Sequence, residues 1–236
     1  MITAAALAVL RESSRAEAPK RLTVLAASSL TEVLPRVDGR PAYSFGGSDQ
    51  LAFQIRQGAP ADVFASASPD FTQALFREGS VERPRAFASN SLALAVPRSN
   101  PAGLESVFDL RRTNVKLVVG AADVPVGAYT RRVLKRLSLT GVLAQVVSEE
   151  PDAKSVIGKL ALGEADAGFV YRTDVAPAAD RVRAIVIPPR GQPQVRYEVA
   201  VVRAGSDRAA ARRFVTTLAT SERARRTLTR AGFGTP

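Results

Sequence analysis

The chain of 236 residues contains no cysteine and no histidine. These absences remove thiol nucleophiles, disulfides, zinc fingers, Ser-His-Asp triads and imidazole metal ligation together, because each needs a sulfur or an imidazole nitrogen. A carboxylate-only catalyst or a hard-cation site survives the exclusion. The compartment stays open, since a cysteine-free chain suits oxidising and reducing surroundings alike. No run reaches the roughly 18 to 20 apolar residues that a membrane-spanning helix needs. Acids are scarce beside bases: 22 Asp and Glu against 33 Lys and Arg leave a net charge of +11. Such a surplus raises the question of a nucleic-acid partner. It is uneven, however. Residues 203–230 hold eight Arg against Asp207 and Glu222 and so supply +6 of the +11. No aromatic-interleaved basic stripe or recognition motif accompanies them, so the expectation is a solvated Arg-rich face and no nucleic-acid partner.

What is present is an ordinary globular mixture, 46% hydrophobic and 23% charged, long enough for one large domain or two modest ones. Residues 2–10 form a short apolar run, and Ala16-Glu17-Ala18 fits a small-x-small cleavage pattern without a basic segment ahead of it. Residues 1–20 therefore read as the remnant of a truncated secretory signal, and the expected location is extracytoplasmic, in the periplasm or the cell-wall space. No Cys within these residues could carry a lipid anchor.

From Arg21 onward β-branched runs alternate with helical patterns. Strands are expected at 22–25, 42–45 and 62–65, with helices after Leu30, after Ser48 and after the N-cap Ser68. Gly58 and Gly79 stand where the second and third of these helices should stop. A strand at 91–96 leads into a Pro-bounded segment at 97–101. A second alternating unit follows, with strands at 115–119, 144–147, 167–171 and 184–188 and helices at 126–137 and 153–162. A Pro/Gly-rich stretch at 188–193 precedes a returning strand at 197–202 and two helices capped by Asp207 and Ser221. The fold class implied is α/β, with two lobes that are each a mostly parallel sheet flanked by helices. The expected division is 21–96 with 196–236 for lobe 1 and 97–195 for lobe 2, joined by two hinge crossings.

In open α/β sheets ligands sit at the carboxyl ends of strands, where helix N-termini point. Ser29, Ser48, Val126 and Ala153 each follow a strand through a short loop and open a helix, and none carries a charge. The first N–H groups of a helix lack intrahelical partners, and its dipole places about half a positive charge there. Four such ends converging on one cleft would hold an anion without a cationic side chain, and Ser hydroxyls would add donors that turn to suit it. A single Ser at such a position is ordinarily just a cap, so the inference rests on the set.

Five segments occur in a telling order: Ala26-Ala27-Ser28-Ser29-Leu30-Thr31, Ser44-Phe45-Gly46-Gly47-Ser48, Gly58-Ala59-Pro60-Ala61-Asp62-Val63-Phe64, Val124-Pro125-Val126-Gly127 and Gly168-Phe169-Val170-Tyr171. Together, over residues 22–233, they resemble the periplasmic molybdate-binding proteins of bacterial molybdate ABC transporters. The resemblance implies a type II periplasmic-binding-protein fold and an oxyanion, molybdate or tungstate, held between the lobes without chemistry or a cofactor. It implies that Ser29 and Ser48 each offer a hydroxyl and a backbone N–H, that Val126 and Ala153 offer backbone N–H groups, and that Tyr171 offers its phenolic O–H. The metal would be bound only as its oxyanion, with no direct metal ligands. The implied partner is a membrane ABC transporter permease, served by a monomer that closes around its ligand.

The chain departs from the family pattern in two places. The stretch between Ser29 and Ser48 is short and contains Pro35, so the first helix should be short or broken. Asp49 follows Ser48 directly, and as an early helix residue it is expected to face solvent. Facing the cleft instead, it would accept a proton from hydrogen phosphate, which makes another oxyanion, phosphate or sulfate, the alternative ligand. For an enzyme, Asp62, Asp152 and Asp166 are available, but no spacing pairs them. For an organic anion, Arg131, Arg132 and Arg172 lie near the expected rim. A transcription regulator of this fold would carry a DNA-binding module, for which residues 1–20 are too short.

Overall fold

The computed structural model describes residues 21–112 and 114–236; the candidate leader at 1–20 lies outside them. In chain order the strands are β1 (Thr23–Ala27), β2 (Ala42–Gly46), β3 (Val63–Ser66), β4 (Arg85–Asn90), β5 (Leu92–Pro97), β6 (Leu117–Gly120), β7 (Val146–Glu150), β8 (Ala167–Tyr171), β9 (Val182–Val186) and β10 (Val195–Val201). The α-helices are α1 (Leu34–Val37), α2 (Ser48–Arg56), α3 (Pro69–Arg77), α4 (Pro125–Arg136), α5 (Ala153–Ala161), α6 (Arg172–Val175), α7 (Arg208–Thr220) and α8 (Glu222–Arg230).

The strands form two five-stranded sheets with matching topology, β2-β1-β3-β10-β4 and β7-β6-β8-β5-β9. In each, three strands run parallel and a fourth runs antiparallel beside them: β10 against β3, and β5 against β8. That reversed strand is the one that has just arrived from the other sheet. The α/β, two-lobed fold is the one expected. Strands β1, β3, β6 and β8 are covered on both faces, which is why they read as continuous apolar runs and not as alternation. One core cluster runs through both lobes, and two smaller ones fill the outer faces beneath α2 and α3 and beneath α5. Helix α7 packs on β10 and β4, so the C-terminal helices do return to the first lobe, with Asp207 and Ser221 as caps.

The first crossing differs from the expectation. Strand β5 pairs with β8 and β9, so it belongs to the second sheet, and the chain crosses at Ser91, not at 97–101. The reason is β4, Arg85–Asn90, a strand for which the sequence carries no clear local signal. Its alternation is weak, and it is held at the sheet edge by β10 across a bulge between Tyr197 and Glu198. Residues 97–101 form an outer turn in which Asn100 adopts φ 47°. The second crossing falls between β9 and β10, at the Pro/Gly-rich stretch. The first helix is broken, as Pro35 implied: a 3₁₀ turn at Ser28–Leu30 precedes the four-residue α1.

The acids considered for catalysis are spent on the backbone. Asp62, just before β3, accepts from the Thr23 N–H at 2.8 Å and from the Ser206 and Asp207 N–H groups at 2.7 and 3.3 Å. It thereby ties the starts of β1 and β3 to the turn before α7. Asp166 repeats the device in the second lobe, accepting from the Lys116 N–H at 2.8 Å beside the start of β6. Asp152 caps α5 by accepting from Ser155 N–H at 2.8 Å. Charge-assisted hydrogen bonds of this kind contribute about 1.5–3 kcal/mol each, and at Asp62 their loss leaves part-buried donors unmet. Asp62→Ala should therefore lower unfolding stability by about 3 kcal/mol. Urea denaturation checks this, and the folded fraction should keep its ligand affinity, because Asp62 sits at the opposite end of the sheet from the cleft.

Candidate functional site

The carboxyl ends of the parallel strands in both sheets face one another across the cleft. β1 ends at Ala27, followed by Ser28 and Ser29; β2 ends at Gly46, followed by Gly47 and Ser48; β6 leads through 121–124 into α4; β7 leads through Pro151 and Asp152 into α5; β8 ends at Tyr171. Ser29, Ser48, Val126, Ala153 and Tyr171 all line one cavity of about 20 Å³ between the lobes. One water needs roughly 10–15 Å³ on the same measure, so the space suits a single compact group and excludes a sugar or an amino acid.

Each contributor reaches the cavity for a local reason. Ser48 is the first residue of α2, and its Oγ accepts from the Ala67 N–H at 3.1 Å. With that acceptor role taken by the backbone, its own proton is available to the cavity. Val126 and Ala153 stand in the first turns of α4 and α5, where N–H groups have no partner inside the helix. The α4 terminus can come this close only because of Gly127. A Cβ there would lie 1.8 Å from the Ala121 carbonyl oxygen and 2.3 Å from that of Gly120. Ser29 lies in the 3₁₀ turn after β1, its Oγ 2.9 Å from the Tyr197 hydroxyl. Tyr171 is 2% exposed, and its hydroxyl is buried with no hydrogen-bond partner among the described residues. A buried hydroxyl without a partner costs about 1–3 kcal/mol, a cost that a ligand oxygen in the cavity would remove.

The lobes touch around the cavity. A Cβ on Gly47 would come within 2.7 Å of the Pro151 carbonyl oxygen of the second lobe. The Tyr129 hydroxyl donates to the Ala67 carbonyl at 3.4 Å, and the exposed pairs Lys154–Glu32 and Arg132–Asp70 span the gap at 3.2 and 3.6 Å. The form described is a closed one. None of the three Arg residues expected near the rim lines the cavity. Arg131 is held by the Gly120 and Gly127 carbonyls and by Glu149, Arg132 lies 5.2 Å over the Tyr129 ring, and Arg172 is exposed. Among the described residues no cationic side chain lines the cavity, and the acidic residue in its lining, Asp152, turns its carboxylate back onto its own helix.

A family model described as bacterial extracellular solute-binding protein matches residues 22–234. The chain belongs to that family. The molybdate-binding protein ModA of Mycobacterium tuberculosis is 34% identical over 227 residues, covering 92% of this chain and 85% of the relative. Among solved structures, the substrate-binding domain of a putative molybdenum ABC transporter from Clostridium difficile matches at 26% identity with a TM-score of 0.68. That match covers 92% of this chain and 99% of the other. The periplasmic molybdate-binding protein of Azotobacter vinelandii has a TM-score of 0.80 over 92% of this chain and all of its own, and at 21% identity it speaks for the fold alone. The family is one of binding proteins, which agrees with the use of Asp62, Asp152 and Asp166 as backbone acceptors.

In this solute-binding protein Asp49 does not face solvent as expected. It is half-buried against Gly47, where the lobes meet, and its Oδ1 is buried without a partner among the described residues. The cause is the tight Gly47 entry to α2, which folds the side chain back over the helix start. It does not line the cavity either. Burial raises its pKa, the N–H groups of Asp49 and Gln50 oppose that rise, and Asp123 and Asp152 across the lobe contact reinforce it. Two contributors escaped the sequence reading: Ala67, whose N–H orients Ser48, and Tyr197, which lies 168 residues from the Ser29 it touches. No local pattern marks either one.

Burial is the main cause that moves the titrating groups around the cavity. It raises the pKa values of Tyr171 and Tyr129, so both phenols stay protonated donors. Asp174, directly behind Tyr171, is pushed up to about 7 by burial, although the Tyr171 N–H it accepts at 3.1 Å pulls the other way. The unfolded carboxyl titrates near 3.8. Between those values the folded state holds a proton that the unfolded state has lost, so stability falls as pH rises through that window and then levels off. Relative to Asp174→Asn, the wild-type melting temperature should decline between about pH 4 and pH 7 and run parallel above it. Paired thermal scans across that range test the assignment.

Proposed function

We propose that this protein captures molybdate, or the equally shaped tungstate, in the interlobe cavity outside the cytoplasm, and that the closed form delivers it to the permease of an ABC transporter. The observation that carries the reading is the unpartnered Tyr171 hydroxyl, buried at the wall of a cavity that the Ser29 and Ser48 hydroxyls and two helix N-termini also reach. Everything offered there is a neutral donor: the Ser29 and Ser48 hydroxyls and N–H groups, the Val126 and Ala153 N–H groups, and the Tyr171 O–H. A donor-only site favours an anion that has shed all its protons, because an anion hydroxyl would find no acceptor. Molybdate, tungstate and sulfate meet that condition, and hydrogen phosphate does not. Asp49, the one residue that would have served hydrogen phosphate, lies outside the cavity. The 34% identical molybdate-binding relative favours molybdate over sulfate.

Capture follows from the two-sided site. An open form presents Ser29 and Ser48 on one lobe and Val126, Ala153 and Tyr171 on the other. The anion is satisfied by both sets only when they meet, so binding shifts the population toward closure. The protein acts as a monomer, with no cofactor, and changes no bond in its ligand. The permease would then read the closed shape.

Thermal unfolding with molybdate, tungstate, sulfate and phosphate added separately tests the ligand. At about 100 times its Kd a bound anion adds roughly 2.7 kcal/mol, several degrees of melting temperature. Molybdate and tungstate should give that shift at the lowest concentrations; a shift with phosphate and none with molybdate or tungstate would refute the assignment. The double variant Ser29→Ala, Ser48→Ala should fold and show no molybdate shift. Unchanged molybdate affinity in that variant would place the anion elsewhere.

A further inference from the structure

The Ser29 hydroxyl belongs to a chain of hydrogen bonds whose direction can be worked out. It begins at Asn90, the last residue of β4. The Asn90 Oδ1 accepts from the Ser91 N–H at 2.9 Å, which fixes the orientation of the amide. Its Nδ2 therefore faces the other way and donates to the Thr173 hydroxyl at 2.9 Å and to the Tyr197 hydroxyl at 3.3 Å. An amide nitrogen cannot accept. The Tyr197 oxygen thus receives one hydrogen bond from Asn90, and its remaining neighbour is the Ser29 Oγ at 2.9 Å.

Two arrangements of that last contact exist. If Ser29 donated to Tyr197, the phenol would receive two hydrogen bonds and its own proton would be stranded in a wall of rings. Tyr197 is fully buried among Phe87, Tyr171 and Phe233, at ring-centroid distances of 6.1, 5.9 and 5.4 Å. A stranded buried donor is costly. If Tyr197 donates to Ser29, the phenol proton is satisfied, and the Ser29 proton is free to turn into the interlobe cavity that Ser29 lines. Burial also raises the pKa of Tyr197, so the phenol keeps that proton.

We propose that Tyr197, held by Asn90, is a positioning residue that occupies one acceptor site of the Ser29 hydroxyl, orients it as a donor to the bound oxyanion and so contributes to the rejection of protonated anions. Ser48 is set the same way by the Ala67 N–H, and the cavity then presents donors from both hydroxyls of the first lobe. Asn90 also bonds Thr173 of the second lobe, so the residue that sets the relay bridges the crossing at Ser91. This inference rests on the proposed oxyanion site.

Tyr197→Phe removes one oxygen and keeps the ring in its aromatic setting, so the unliganded melting temperature should change little. Isothermal titration with molybdate and with phosphate at pH 8 then reads the relay. Losing one oriented charge-assisted hydrogen bond should weaken molybdate binding about tenfold. Phosphate binding should weaken less or improve, because the freed Ser29 hydroxyl can accept from the anion proton, and the preference for molybdate narrows. In a Ser29→Ala background Tyr197→Phe should have no further effect on either anion. Equal losses for both anions, or a full additional loss in the Ser29→Ala background, would overturn the relay and leave Tyr197 as packing. A wild-type protein that ignores molybdate would overturn the oxyanion reading itself, a result readily told apart from a failed relay.

Discussion

The first N–H groups of a helix have no partner inside it, and the parallel strands decide where that unmet need is exposed. Here β1, β2, β6 and β7 each hand the chain to a helical segment at the same edge of its sheet, and the two edges meet. The starts of α2, α4 and α5 and the 3₁₀ turn at Ser28–Leu30 therefore converge on one small cavity. A cationic side chain there would be satisfied by almost any anion, whereas fixed dipoles and hydroxyls reward one of the right size with acceptors on every side. On the proposed reading that is how a chain of net charge +11 binds a dianion while keeping its cations on the outside. The Arg residues of α7 and α8 are all exposed.

The carboxylates divide by position in a way that supports the same reading. At the far ends of the sheets, Asp62 and Asp166 hold strand starts together in matching fashion, one in each lobe. At the near ends acids would oppose an anion, and three of them are turned aside or have raised pKa values. Asp152 caps its own helix, Asp174 is raised to about 7 by burial, and Asp49 is folded back over Gly47 with its pKa raised. The segment Gly58-Ala59-Pro60-Ala61-Asp62, the most specific motif of the resemblance, owes its residue types to this framework and not to the ligand. Its Asp62 joins three stretches of chain that are distant in sequence.

Much of the fold was legible because its signals are local. Apolar runs interrupted by capped helices predicted the strands of both parallel triplets, and Ser68, Asp207 and Ser221 do cap the helices they precede. Pro35 predicted the broken first helix. What failed was non-local. The segment Arg85–Asn90 is a strand because β10 pairs with it, not because of its own pattern, and missing it moved the expected crossing from Ser91 to the turn at 97–101. The orientation of Asp49 differs from the expectation because helix geometry fixes only the angle of a side chain, while the Gly47 turn and the facing lobe decide its environment.

The residue types and order of this chain determined, without any coordinates, that thiol and imidazole chemistry are absent, that two α/β units follow one another, and that uncharged donors open the helices at Ser29, Ser48, Val126 and Ala153. Those are properties of single residues and short windows. Tertiary structure decided that these donors and Tyr171 share a cavity of about 20 Å³, that Asp49 stands beside it and not in it, and that Tyr197 reaches Ser29 from 168 residues away. Convergence of this kind depends on which strands pair and where the chain crosses, and pairing is an interaction between segments that no local pattern encodes.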